Sequence, residues 1–158
     1  MHPASQHRTV LTWVQPTRAE RYEIYSELGI PQAVLTINTP FRATIESRFG
    51  VYWLERKTQF AALTVSEADG SLIATVRTGW WGRREVTFED GRKLRFNASG
   101  LFRSRWIWRN ADGEPRAVVQ RSQIFFSPDR PMREGLSALL TGLSIYFIAN
   151  RSSIFHRF

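Results

Sequence analysis

Gly135–Ala149 reads GLSALLTGLSIYFIA, and the placement of this apolar run decides how the rest of the chain must be built. It is shorter than the roughly 20 residues that cross a bilayer as a helix, and Arg133–Glu134 and Asn150–Arg151 stop it on either side. The preceding Ser127-Pro128-Asp129-Arg130-Pro131 is a rigid linker that launches a helix over Arg133 to Asn150. Leu136, Leu139, Leu140, Leu143, Tyr146 and Phe147 form one stripe of that helix, but Ala138, Ile145 and Ile148 cover much of the remainder. A helix apolar nearly all round is buried on all sides or lies in lipid. Gly135, Ala138, Thr141, Gly142 and Ser144 keep it slim, as threading through a β-enclosure requires; small residues suit helix packing in membranes equally well.

Working back from that helix, Arg8 to Phe126 is a succession of short β-branched and aromatic runs. Strands are expected at Thr9–Val14, Tyr22–Ser26, Ala33–Ile37, Arg42–Ser47, Val51–Arg56, Phe60–Ser66, Leu72–Thr78, Arg84–Phe88, Lys93–Phe96, Phe102–Arg109 and Arg116–Ile124. Asp69-Gly70, Asp90-Gly91 and Asp112-Gly113 recur at nearly even spacing, and Asp-Gly favours hairpin turns because Gly accepts a positive φ. A two-residue turn at Asp112-Gly113 pairs Ala111 with Glu114 and sets Trp106 opposite Val119 and Trp108 opposite Ala117. At Asp90-Gly91 a longer, bulged turn is expected, opposing Phe88 to Leu94 and Val86 to Phe96. A three-residue loop at Ala98-Ser99-Gly100 would bring Phe96 against Phe102.

The chain of 158 residues fits one domain: a flexible N-terminus over 1–7, a mainly β domain over 8–150 with its helix near 133–150, and a short tail over 151–158. A hydrophobic fraction of 42% with 13% aromatics is too apolar for a disordered chain. The absence of cysteine removes disulfides, thiolate nucleophiles and Cys-based metal sites. Met1 to Gln6 lacks a basic start and apolar core, so a cytoplasmic location is expected, with peripheral membrane contact compatible with it. The fold class is therefore mainly β: an antiparallel meander of about 10 to 12 strands followed by one slender hydrophobic C-terminal helix.

That order of elements is similar to the tubby C-terminal fold, shared by tubby proteins, phospholipid scramblases and LURP-one-related proteins. The resemblance, to uncharacterised bacterial members, spans about Arg18 to Asn150. It rests on FRATIESRFGVYWLERK (Phe41 to Lys57), the DGSLIATVR and DGRKLRF hairpins, and GLSALLTGLSIYF. It implies a closed barrel whose bore the helix fills, and a phospholipid-binding role. The phosphoinositide-binding residues of tubby and the calcium-binding segment of scramblases have no position-by-position match here, and the palmitoylated cysteine cluster of scramblases has no counterpart.

Enzymatic chemistry finds little support in the sequence. His2, His7 and His156 all lie near the termini, and G-x-S-x-G, H-E-x-x-H, P-loop and helix-opening G-x-G-x-x-G patterns are missing. Glu85 with Glu89, or Glu46 with Glu55, are formal acid–base pairs but read more simply as solvated surface carboxylates. The aspartates of the Asp-Gly pairs are turn formers without further oxygen ligands at calcium-loop spacing. The expectation is a non-enzymatic protein without cofactor or metal.

Charge offers the stronger hint. Lys and Arg number 22 against 14 Asp and Glu, for a formal +8, and all the cations except Lys57 and Lys93 are arginines, which fork onto phosphate. Alternation along Leu101 to Arg109 puts Phe102, Trp106 and Trp108 toward the core and Arg103, Arg105 and Arg109 on the opposite face. The expected registers then oppose Arg95 to Arg103, Lys93 to Arg105 and Arg109 to Arg116, like-charge pairs that a bound anion would relieve. Trp80-Trp81-Gly82-Arg83-Arg84 adds tryptophans beside arginines, a pattern suited to a membrane interface. The candidate anion-binding residues are thus Lys93, Arg95, Arg103, Arg105, Arg109, Arg116, Arg83 and Arg84, with Trp80 and Trp81 as membrane contacts. The expected ligand is an anionic phospholipid head group or a phosphorylated small molecule. The alternatives are a barrel that stacks single-stranded nucleic acid on its aromatics, and a structural protein tethered by a short C-terminal anchor helix.

Overall fold

The computed structural model describes residues 9–18, 20–79, 82–99, 104–128 and 132–155, with Glu134 and residues 151–155 described by backbone alone. Twelve strands run β1 (Val10–Val14), β2 (Arg21–Ser26), β3 (Pro31–Thr39), β4 (Arg42–Ser47), β5 (Gly50–Glu55), β6 (Leu63–Glu67), β7 (Leu72–Thr78), β8 (Arg84–Phe88), β9 (Lys93–Ser99), β10 (Arg105–Asn110), β11 (Pro115–Gln120) and β12 (Gln123–Phe126). Each pairs antiparallel with its sequence neighbour, and β1 closes the cylinder against β12, with Leu11 opposite Ile124. Closure leaves no free strand edge, so no row of backbone donors is offered for sheet addition.

The single helix, α1 (Glu134–Phe155), fills the bore. Residues 137–147 are buried without interruption, including Leu140 and Leu143 at 0% exposure, so no face of that stretch reaches solvent. Alternation supplies the surrounding wall: Leu35, Ile45, Leu54, Val65, Val86, Phe96, Trp108 and Ile124 all point inward. A Cβ on Gly142 would lie 2.4 Å from Ile45 Cδ1, so the helix is slim at this level because the wall leaves no room for a methyl. Buried Thr141 and Ser144 satisfy their hydroxyls on the Ser137 and Leu140 carbonyls one turn back, each at 2.7 Å. The helix runs five residues past Asn150, so part of the expected 151–158 tail is helical; residues 1–7 lie outside the described residues. Among the described residues no helix is long and apolar enough to cross a membrane.

The turns share one solution. In the hairpins at Glu67–Ser71, Phe88–Arg92 and Asn110–Glu114 the first residue's N–H donates to the last residue's carbonyl at 2.9–3.0 Å, with Gly70, Gly91 and Gly113 at φ of 82° to 90°. Ser26–Ile30, with Gly29 at φ 76°, is a fourth copy that carries no Asp-Gly signal.

Several expected registers are corrected. The Asp90-Gly91 turn is bulged as expected, but its loop takes Glu89 rather than Arg92, so Val86 faces Leu94 and Arg84 faces Phe96; the inward face is unchanged. At Asp112-Gly113 the pairs Trp106–Val119 and Trp108–Ala117 stand, yet the loop has three residues, Ala111 does not pair with Glu114, and Arg109 faces Pro115 instead of Arg116. Strand β9 continues to Ser99 because its next turn lies further along, so Phe96 faces Trp108 rather than Phe102, and Arg95 faces Arg109 rather than Arg103. Arg105 accordingly pairs with Ser99 and not with Lys93. The single strand expected over Arg116–Ile124 is two strands joined at Arg121-Ser122, where Arg121 adopts φ 57° in place of a glycine.

Candidate basic rim of the barrel

An up-and-down barrel sends alternate connections to opposite ends. The β2–β3, β4–β5, β6–β7, β8–β9 and β10–β11 turns gather where α1 begins, and the other connections gather where α1 leaves. The two ends differ sharply in charge. At the exit end, the described connections and the strand residues adjoining them carry Arg18, Arg21, Arg42, Arg56, Lys57, Arg83, Arg84, Arg105 and Arg121 against Glu20 and Glu55. At the entry end, the same tally is Arg48, Arg92, Lys93 and Arg133 against Glu27, Glu67, Asp69, Glu89, Asp90, Asp112 and Glu114.

The structure therefore divides the sequence candidates. Arg83, Arg84 and Arg105 belong to the basic rim. Arg84 Nη1 donates to the Gly82 carbonyl at 2.9 Å while its guanidinium sits 5.2 Å from the Phe147 ring centroid, tying the rim to the central helix. Arg56 does the same from the neighbouring loop: its Nε and Nη2 donate to the Pro40 carbonyl at 3.3 and 3.1 Å, and it lies over Phe41. Tyr146 donates to that same carbonyl at 2.8 Å, and its phenol is raised above the usual 10.0 by burial, against which nearby Arg56 and Arg84 pull it down. Around these anchored groups, Arg18, Arg21, Arg42, Lys57, Arg105 and Arg121 are exposed.

Lys93, Arg95, Arg109 and Arg116 stand elsewhere, on the outer wall toward the acidic end. Arg77, Glu85, Arg95 and Arg109 form one row across β7 to β10. Glu85 lies 3.6 Å from Lys93 and 3.7 Å from Arg95, and Arg109 donates to the Gly113 carbonyl at 3.0 Å. A like-charge pair does exist, between Arg95 and Arg109, but an acid is built in beside it. Arg105 and Arg116 line a shallow wall groove of about 470 Å³ over Val118 and Phe125. Arg103, Trp80 and Trp81 lie outside the described residues. Trp106 and Trp108 are 8% and 0% exposed, packed on Phe96, and are not offered for base stacking.

Comparison with protein-family models, with curated proteins and with solved structures finds no match.

At the acidic end, Asp69 and Asp90 are each held below the ordinary carboxylate value chiefly by a backbone N–H, that of Ser71 at 2.9 Å and of Arg92 at 3.0 Å. A groove of about 1310 Å³ at this end, floored by Phe88, Leu94, Leu136 and Leu139, is lined by Glu67, Asp90 and Asp112 together with Arg92, Lys93, Arg116 and Arg133, and Arg92 Nε lies 2.6 Å from Asp90 Oδ2. Among the described residues no group of His, Cys, Asp and Glu has metal-binding geometry. Sequence reasoning missed the basic rim because it followed strand faces. The signal that would have found it is the alternation of base-rich and acid-rich connections along the chain.

Proposed function

We propose that this protein is a non-enzymatic binding module for phosphate-bearing anions, either phospholipid head groups or a phosphorylated small molecule, and that it takes them at the basic rim. The observation that carries this reading is the nine cations against two acids among the described residues at one end of a closed barrel. Eight of the nine are arginines, whose planar forks match phosphate oxygens, and four of them, Arg21, Arg42, Arg84 and Arg105, stand on the ends of the closed strands themselves. The wall residues Lys93, Arg95 and Arg109 are a weaker candidate, since Glu85 and the Gly113 carbonyl already engage them. A tubby-like relationship is part of the same reading: a closed barrel with a hydrophobic helix in its bore supports it, and it favours phospholipid among phosphate-bearing anions.

Co-sedimentation with vesicles, with and without anionic phospholipid, tests the proposal, alongside titration with inositol hexakisphosphate as a soluble probe. The expected result is binding to anionic vesicles, to the soluble probe or to both, weakening steeply with salt. It should be lost in Arg42→Glu/Arg121→Glu and kept in Arg95→Glu/Arg109→Glu. Absence of both binding modes at low ionic strength overturns the proposal; loss in the wall variant with retention in the rim variant moves the site to the wall.

A further inference from the structure

Three hairpins at the end where α1 begins close their loops with Asp-Gly: Asp69-Gly70 within Glu67–Ser71, Asp90-Gly91 within Phe88–Arg92 and Asp112-Gly113 within Asn110–Glu114. Their backbones match. In each the glycine has φ between 82° and 90°, and its N–H donates to the carbonyl of the hairpin's first residue at 2.9–3.0 Å. Their aspartates do not match. Asp69 Oδ1 accepts the Ser71 N–H at 2.9 Å and Asp90 Oδ1 accepts the Arg92 N–H at 3.0 Å, so each carboxylate is clamped by the residue two places on. In the third hairpin the corresponding N–H, that of Glu114, is already taken: it donates to Asn110 Oδ1 at 2.9 Å, as does the Asp112 N–H at 3.0 Å. Asn110 thus does from the hairpin's first position what the aspartate does in the other two, where that position holds Glu67 and Phe88. Among the described residues no hydrogen bond or ion pair reaches the Asp112 carboxylate, and Asp112 and Gly113 are both exposed.

We propose that Asp112-Gly113 is a site of spontaneous covalent modification, converting to isoaspartate in the folded protein while Asp69-Gly70 and Asp90-Gly91 are protected. The step needs no reagent but water. The Gly113 nitrogen attacks Asp112 Cγ, and the hydroxyl of the protonated carboxyl group leaves with the amide proton as water, closing a five-membered succinimide. A water molecule then adds to one of the two ring carbonyls. Breaking the bond from nitrogen to Cγ restores aspartate; breaking the bond from nitrogen to the α-carbonyl carbon leaves the chain linked through Cγ, with the mass unchanged. The following residue is glycine in all three pairs, so no Cβ hinders any of the nitrogens and the difference lies in the carboxyl group. While the bond from Ser71 or Arg92 stands, Asp69 or Asp90 cannot turn freely onto the glycine nitrogen, and each is held toward the ionised form, which has no hydroxyl to lose. Neither restraint acts on Asp112. Conversion adds one atom to the main chain of the β10–β11 turn and moves a carboxylate on the wall of the groove over Phe88 and Leu94. This inference goes beyond anion binding and rests on none of the rim residues.

Prolonged incubation of the full chain at neutral pH tests it, followed by proteolysis and mass spectrometry with electron-transfer fragmentation, which distinguishes isoaspartate from aspartate. Isoaspartate at position 112 should form about 10-fold faster than at 69 or 90, the factor that one charge-assisted hydrogen bond supplies. In the urea-unfolded chain, where none of these bonds persists, the three pairs should react at similar rates. Exchanging the first residue of a hairpin should move the effect. Asn110→Glu frees the Glu114 N–H for Asp112 and should slow conversion there to the level of the other two; Glu67→Asn should raise conversion at Asp69 to that of Asp112 in the wild type. Circular dichroism verifies that both variants are folded. Equal conversion at the three positions of the folded chain overturns the proposal. So does an Asp112 that stays intact over the time in which the unfolded chain converts, or a rate at Asp112 that Asn110→Glu leaves unchanged.

Discussion

The indole N–H of Trp108 donates to the Ser144 hydroxyl at 2.8 Å across the barrel interior, and Ser144 donates in turn to the Leu140 carbonyl at 2.7 Å. Trp108 and Ser144 are both at 0% exposure, so water cannot replace either partner. Ser144→Ala should lower unfolding free energy by about 1–3 kcal/mol, the cost of an orphaned buried donor. Urea denaturation measures it. The double variant with Trp108→Phe should cost less than the two single changes added together, because removing the indole also removes the unsatisfied group.

Gly142 faces Ile45, whose Cδ1 and Cγ1 would stand 2.4 and 2.7 Å from an added Cβ. Gly142→Ala should therefore destabilise by about 1–3 kcal/mol through overpacking, partly offset by about 1 kcal/mol of helix propensity. Adding Ile45→Ala should recover much of the loss in the same denaturation assay. In a helix standing outside the barrel, Gly142→Ala would instead stabilise.

Arg121 holds φ 57° in the β11–β12 turn, a conformation that costs a non-glycine residue energy and that asparagine tolerates best. Arg121→Asn should raise stability by about 0.5–1 kcal/mol. It also removes one rim cation, so anion affinity should fall while stability rises. Parallel melting and vesicle-binding measurements separate the two effects.

Tyr146 favours its neutral phenol in the folded state, since burial raises its titration above the ordinary 10.0. Its contribution to stability is complete below about pH 10 and is lost as pH climbs through the raised folded value. Tyr146→Phe should flatten the alkaline limb of stability against pH. Tyr22 and Tyr52 are raised chiefly by burial too, so a shallower slope should remain.

The meander and the all-round apolar helix were legible in the sequence from period-two alternation and the Gly135–Ala149 run, whereas closure of the strands about that helix was an expectation the resemblance supplied. Residue partners were less so. At Asp90-Gly91, loops over 89–91 and 90–92 preserve the same inward face, so apolar matching could not separate them. The requirement for glycine as the last loop residue would have chosen 89–91, and would also have placed the Asp112-Gly113 and Leu28-Gly29 turns. Arg121-Ser122 gave no turn signal of any kind, and β11 and β12 were fused for that reason. The cations were visible one by one, but their gathering depends on which connections share an end. That follows from strand count and closure rather than from any local pattern, which is why Arg95 and Lys93 stood out and Arg42, Lys57 and Arg121 did not.

α1 is the plug about which the strands close, and the rim is anchored to it where Arg84 sits over Phe147 and where Arg56 and Tyr146 share the Pro40 carbonyl. Hydrogen–deuterium exchange of the full chain without detergent tests it most directly. The account predicts that amides over 138–147 exchange only by global unfolding, as slowly as those of Val86, Phe96 and Trp108. Helix amides that exchange well ahead of those strand amides would contradict it.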